Sequence, residues 1–232
     1  MIGGRGRCAH MEVRTLVAKY PRLYHMAEDG SWPNILKYGL LSTSALLTLY
    51  GYKGTERKLL ESAWRPQKVT ISCEGLEDAV IRDQKPMPPG QLQQCLLDGM
   101  TPSEWYYLIN GRVYFWVKWN PSVEWFLGGR EYRNTVNLII TVDTRELLAR
   151  YASQVTLSGI NSGSTYYDQE RRTSPWPRGR TTFKTAGEYN LPYVTELAVE
   201  NGIPEVEKVT VSVAQWVSNG TDSRKIKDIW PT

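Results

Sequence analysis

The stretch that most limits how this chain can fold is Tyr193 to Val213, YVTELAVENGIPEVEKVTVSV. Val194, Leu197, Ala198 and Val199 read as a short buried strand, Asn201-Gly202 with Pro204 as a turn, and Val209, Val211 and Val213 as a second, alternating strand. Inside the first strand stands Glu196. A carboxylate taken out of water without a partner is costly, so Glu196 requires a hydrogen-bond partner, a raised pKa or a place at the mouth of a cleft. The ordinary alternative is a strand-end glutamate that faces solvent.

The chain has 232 residues, 41% of them hydrophobic, enough for a full core in one domain. That domain is expected over 13–232, after a flexible Gly/Arg-rich segment 1–12 that lacks the apolar core of a signal peptide. Strands of five to seven residues, with helices mainly in the N-terminal half, predict the α+β class with two small sheets around a cleft. No stretch approaches the ~20 apolar residues of a membrane span. Cys8, Cys73 and Cys95 form neither a metal-ligand spacing nor an even disulfide framework, which points to a reducing, cytoplasmic compartment. His10 and His25 are the two histidines, so a His-rich zinc site is excluded and no metal is expected. The aromatic balance is nine Trp and fourteen Tyr against three Phe, which favours rings with a polar handle that can line a wet cleft. A net charge of +4 without a basic run tolerates a polyanionic partner and does not demand one.

Taken in order, Leu23-Tyr24-His25-Met26 reads as a strand, and a helix from Ser31 through Pro33 and Tyr38 stops at Gly39, before Leu40-Leu41. Neutral imidazole donates from one nitrogen and accepts at the other, as holding a ribose hydroxyl requires. Two helices are expected within Ser42 to Ala63, short strands at Val69 to Ser72 and Ala79 to Ile81, and helices at Gln91 to Leu97 and after the capping pair Thr101 and Glu104. Arg65 and Arg82 fall in this interval. A guanidinium grips pyrophosphate through two parallel hydrogen bonds, and either arginine can equally form a surface ion pair. In the strand Arg112 to Val117, alternation separates Tyr114 and Trp116 from Phe115. A helix at Glu124 to Gly129, a strand at Asn137 to Asp143, a helix at Leu147 to Tyr151 and a strand at Gln154 to Leu157 follow. The polar region from Ser158 to Arg180 then holds Asn161, Arg171, Arg172, Arg178 and Arg180 with Tyr166, Tyr167 and Trp176. Basic residues interleaved with aromatics suit a nucleic-acid strand, and the same composition describes a solvated loop. The chain closes on a turn after Val217 and a basic tail with Arg224, Lys225 and Lys227.

These spaced blocks resemble ADP-ribosyltransferases of the DarT type and the related RNA 2'-phosphotransferase-like enzymes: Leu23-Tyr24-His25, the helix ending at Gly39-Leu40, the pair Tyr114-Phe115, and Glu196 followed by Leu197-Ala198-Val199 and Gly202-Ile203-Pro204. The resemblance implies a split β-sheet core around a cleft for NAD, used as co-substrate. Glu196 is then the catalytic carboxylate, His25 holds the adenosine ribose, Arg65 or Arg82 the pyrophosphate, and Tyr114 lies at the nicotinamide. Asn161, Arg171, Arg172 and Arg178 would meet the acceptor, DNA or RNA, with protein also open. A bacterial toxin or defence role with an antitoxin or immunity protein as partner is part of the same implication. The family continues after its aromatic pair into a loop with an arginine, where this chain has Lys118-Trp119-Asn120-Pro121. A phosphate-transferring enzyme that uses NAD and an inactive nucleic-acid-binding module are the alternatives.

Overall fold

The computed structural model describes residues 13–129, 131–165, 176–190 and 192–231, so the expected N-terminal segment lies outside them. The class is α+β, as expected. In chain order the helices are α1 (Val13–Lys19), α2 (Trp32–Tyr38), α3 (Thr43–Leu49), α4 (Gly54–Glu61), α5 (Pro89–Cys95), α6 (Pro102–Asn110), α7 (Glu124–Gly128) and α8 (Thr144–Tyr151). The strands are β1 (Arg22–Glu28), β2 (Leu40–Leu41), β3 (Val69–Ile71), β4 (Ala79–Ile81), β5 (Arg112–Trp116), β6 (Asn137–Asp143), β7 (Val155–Ser158), β8 (Glu196–Glu200), β9 (Gly202–Ile203), β10 (Thr210–Ser218) and β11 (Ser223–Trp230).

Seven strands form one antiparallel sheet in the order β11-β10-β6-β1-β5-β8-β7, and β2-β9 and β3-β4 are two-stranded ribbons. Two small sheets are therefore replaced by one large sheet with a narrow seam. Strand β1 pairs with β6 along its whole length, from Arg22 opposite Asp143 to Glu28 opposite Asn137, but with β5 only at Tyr24 opposite Trp116. Past that pair the His25 ring takes up the Tyr114 carbonyl through Nδ1 at 2.8 Å, standing in for a ladder bond.

Leu23, Phe115, Ile140, Leu197 and Val199 pack on one face of the sheet with Leu16 of α1 and Leu147 of α8. Val123, Leu127 and Ile139 form a smaller cluster with Trp116, Trp119 and Trp216. Two glycines let the β2-β9 ribbon close against the end of α2. At Gly39 (φ 93°) a Cβ would stand 2.6 Å from the Cα of Pro204, and at Gly202 (φ 121°) it would stand 2.8 Å from the Cα of Leu41. The basic tail read from the sequence is instead β11, an edge strand paired with β10. Its charged residues face solvent, where lysine discourages edge-to-edge pairing, and they break up the apolar alternation by which a strand is read. Among the described residues no helix is long and apolar enough to cross a membrane.

Candidate functional site

Glu196 opens β8, a strand between β5 and β7 whose first four residues are all buried. A strand enclosed on both faces is expected to be apolar throughout, so its carboxylate must be accommodated locally. It is 3% exposed and lies opposite Ser158 of β7. The chain leaving β7 folds back, and Ser162 gives two hydrogen bonds to Glu196 Oε2, from its backbone N–H at 2.9 Å and from Oγ at 2.7 Å. Oε1 has no hydrogen-bond partner among the described residues. Burial raises the Glu196 pKa to about 7, while the two Ser162 bonds and the charge of Arg178 pull it back. Partner, raised pKa and cleft position are all present together.

The returning loop is fastened on several sides. Thr195 Oγ1 donates to the Gly159 carbonyl at 2.8 Å, and the Thr165 N–H donates to the Pro86 carbonyl at 2.8 Å. Arg178 donates from Nη1 to the Ser162 carbonyl at 3.0 Å and from Nη2 to the Ser164 carbonyl at 2.9 Å. At 1% exposure Arg178 is an interior strut over the Trp105 ring, which corrects its expected place as a surface contact for an acceptor. A side chain with its guanidinium committed to buried carbonyls cannot also meet an external strand.

His25 is half-buried at the seam. Because the Tyr114 carbonyl can only accept, Nδ1 carries the hydrogen and Nε2 of the neutral ring is left as an acceptor. Burial lowers the His25 pKa to about 4, against the opposing effect of the Tyr114 carbonyl, and the Arg82 charge lowers it further. The ring therefore stays neutral at ordinary pH. Tyr114 donates its hydroxyl to the Ile109 carbonyl at 3.2 Å and lines the cleft, and burial raises its pKa. Its neighbour Phe115 is fully buried in the core.

The two arginines separate by their partners. Arg65 is 5% exposed and donates to the carbonyls of Leu60 and Arg82 and to Asn110 Oδ1 at 2.9 Å, and burial lowers its pKa to about 10. Arg82 donates from Nη2 to Asn137 Oδ1 at 3.0 Å and stacks 4.9 Å from the Tyr132 ring centre, while its Nη1 is buried without a partner. The free donor belongs to Arg82.

Glu196, His25, Tyr114, Arg65, Arg82 and Asn161 all line one cavity of about 340 Å³. Six buried side-chain polar atoms lack a hydrogen-bond partner among the described residues, and four of them, Glu28 Oε2, Arg82 Nη1, Asp83 Oδ2 and Arg112 Nε, belong to residues lining this same cavity. Each unmet group costs about 1–3 kcal/mol, and since these four atoms have almost no accessible surface, the cost is carried inside the cavity wall and not at its open face. Ser162, Glu28 and Asp83 escaped the sequence reading. Nothing in a Gly/Ser loop announces that it returns to a strand 34 residues later, although the Ser158-Gly159 turn chemistry marks where it begins. Arg171 and Arg172 lie outside the described residues. Arg180 is exposed and pairs with Glu104 at 2.7 Å.

The chain belongs to a family described as a family of unknown function (DUF7002), which matches residues 21–217. That span holds every cavity residue named above. No curated protein matches the chain.

Proposed function

We propose that the protein is an NAD-dependent mono-ADP-ribosyltransferase of the DarT-like kind, acting in the cytoplasm as a bacterial toxin or defence effector on nucleic acid. The observation that carries this reading is the Glu196 carboxyl, buried, oriented through one oxygen by Ser162 and lining the same cavity as a neutral His25 and the arginine Arg82. Scission of the nicotinamide glycosidic bond develops positive charge on the sugar, as in glycoside hydrolysis, and the leaving group departs as neutral nicotinamide with the bonding electron pair. No acid is needed for that step. Glu196 in its ionised form would hold the ribose 2'-hydroxyl and stabilise the oxocarbenium. The acceptor's lone pair then forms the new bond to C1', and Glu196 takes the proton the acceptor loses. His25 Nε2 is a ready acceptor for a ribose hydroxyl, Arg82 a cation in the cavity wall for pyrophosphate, and the Tyr114 ring a wall for nicotinamide.

The phosphate-transferring alternative needs several free basic groups around one phosphate. Arg65 and Arg178 are already committed to carbonyls, and Arg112 to Glu200 at 2.6 Å, which leaves that alternative with less support. The deciding experiment incubates the protein with labelled NAD and a mixture of single-stranded DNA, RNA and protein. Nicotinamide release together with a labelled macromolecule is expected, and absence of release under all conditions would reject transferase chemistry.

The electrostatics add a sign that can be checked. Catalysis needs ionised Glu196, so kcat/KM should rise with pH through about 7. Ser162→Ala removes one of the bonds that hold this pKa down. A hydrogen bond to a charged group is worth about 1.5–3 kcal/mol and 1.36 kcal/mol corresponds to one pH unit, so the rising limb should move up by about one to two pH units. An unmoved limb would take Ser162 out of the control of Glu196.

A further inference from the structure

Resting on the reading above that the acceptor is nucleic acid, we infer that α7 and its flanks form the seat for a single strand of it, with one base stacked on Trp125. Val123 and Leu127 are fully buried, whereas Trp125 between them is 57% exposed. Its indole meets the Phe126 ring edge-on with 5.4 Å between centres, and Phe126 lies 4.7 Å from Trp116. Phe126 and Trp116 line the cavity, and Trp116 stands opposite Glu196 in the β5-β8 pairing. A continuous row of rings therefore runs from the surface to the strand position paired with the catalytic carboxylate.

The platform is held at both ends. Trp119 Nε1 donates to Glu124 Oε1 at 3.2 Å where α7 begins, and where it ends a Cβ on Gly128 would stand 3.3 Å from the Gly220 Cα, in the turn between β10 and β11. A ring fixed before its ligand arrives loses little conformational entropy on binding. The charges around it suit a polyanion. Lys118 before the helix and Arg133 after it are exposed and have no carboxylate partner among the described residues, while Glu124 within the helix is turned to Trp119. Arg133 donates from Nε and Nη2 to the Gly128 carbonyl at 3.4 Å, which leaves Nη1 for a phosphate. One exposed ring between buried neighbours is too small for a protein interface, which needs a contiguous apolar area, but it matches one base, whose face stacks whatever its identity. The loop from Ser158 to Arg180 has Arg178 spent on buried carbonyls and Arg180 paired with Glu104, so the cations read there from the sequence are taken and those beside α7 are not.

The test measures binding of a labelled single-stranded oligonucleotide of mixed sequence, as DNA and as RNA, to the full chain by fluorescence anisotropy. Trp125→Ala should weaken binding by about 10-fold or more, the range of one base on an aromatic ring, and Trp125→Phe should keep most of it. Trp176→Ala, at 60% exposure in the competing loop, should leave it unchanged. Arg133→Gln keeps a donor for the Gly128 carbonyl and removes the charge, and should reduce the slope of log affinity against log salt by roughly 0.7, one phosphate contact on a single strand. Trp125→Ala without effect, or a loss confined to Trp176→Ala, would overturn the inference. A wild type that binds neither strand, as a protein acceptor would give, would overturn it too. An oligonucleotide bound through Trp125 by a protein that releases no nicotinamide would reject the NAD reading and leave this seat in place.

Discussion

Glu196→Gln is expected to lower nicotinamide release and transfer by ~10²–10³-fold while NAD binding stays within a few-fold of wild type. The amide keeps the volume and can still accept from Ser162, but it cannot bring negative charge to the developing oxocarbenium. Expression of the wild type should slow bacterial growth and expression of the variant should not. The same substitution carries a stability signature. The folded pKa of Glu196, about 7, is raised above its ordinary value of 4.5, so its contribution is fully present below pH 4.5 and is lost as pH rises through 7. The amide does not titrate, so the variant should gain on the wild type by about 3 kcal/mol between pH 4.5 and pH 8, as urea unfolding at the two pH values would show. His25, whose pKa is lowered, acts with the opposite sense: its contribution is present above pH 6.5 and is lost as pH falls through about 4, which is why the difference between the two proteins is the quantity to measure. Near wild-type turnover would remove Glu196 from the chemistry, and a pH-independent stability difference would deny that its carboxyl is buried with a raised pKa.

The second large effect is on the frame of the cavity. Gly202→Ala should destabilise the fold by about 3 kcal/mol or more, since the new Cβ meets the Leu40 carbonyl and stands 2.8 Å from the Leu41 Cα at a backbone φ of 121°. Both neighbours are main chain and cannot turn away. The ribbon they belong to is two residues long on each side, and Leu40, Leu41 and Ser42 are part of the cavity wall. Ser42 also accepts from the Ala45 N–H as the cap of α3 and donates its own N–H to the Asn201 carbonyl at 3.0 Å, so parting the ribbon would loosen the wall and weaken ligand binding together with stability. Gly51→Ala is the control: its φ is 73° but nothing lies within 4 Å of the added carbon, and a loss of about 1 kcal/mol is expected. Equal losses at the two positions would show that backbone conformation alone, and not close approach, makes Gly202 necessary.

The local signals in the sequence were strong where one residue type has one physical use. The Thr101 and Glu104 pair forms both bonds of its capping box, Gly39 ends α2 at a positive φ, and Asn137–Asp143 is a strand at the bounds its apolar run suggests. Alternation along β5 sends Phe115 into the core and leaves Tyr114 to the cleft. A glutamate inside an apolar strand is a local contradiction, and that contradiction by itself fixed Glu196 as a residue needing an account. How the account is made depends on groups distant in the chain. Ser162 reaches Glu196 because β7 pairs with β8, Arg82 is distinguished from Arg65 because Asn137 and Tyr132 take only part of its guanidinium, and the basic stretch at the end becomes an edge strand because β10 offers it a partner. Sequence patterns report the preference of each segment for burial and backbone conformation. Which donor finds which acceptor, and which is left facing the cavity, follows from the packing of segments that the sequence holds far apart.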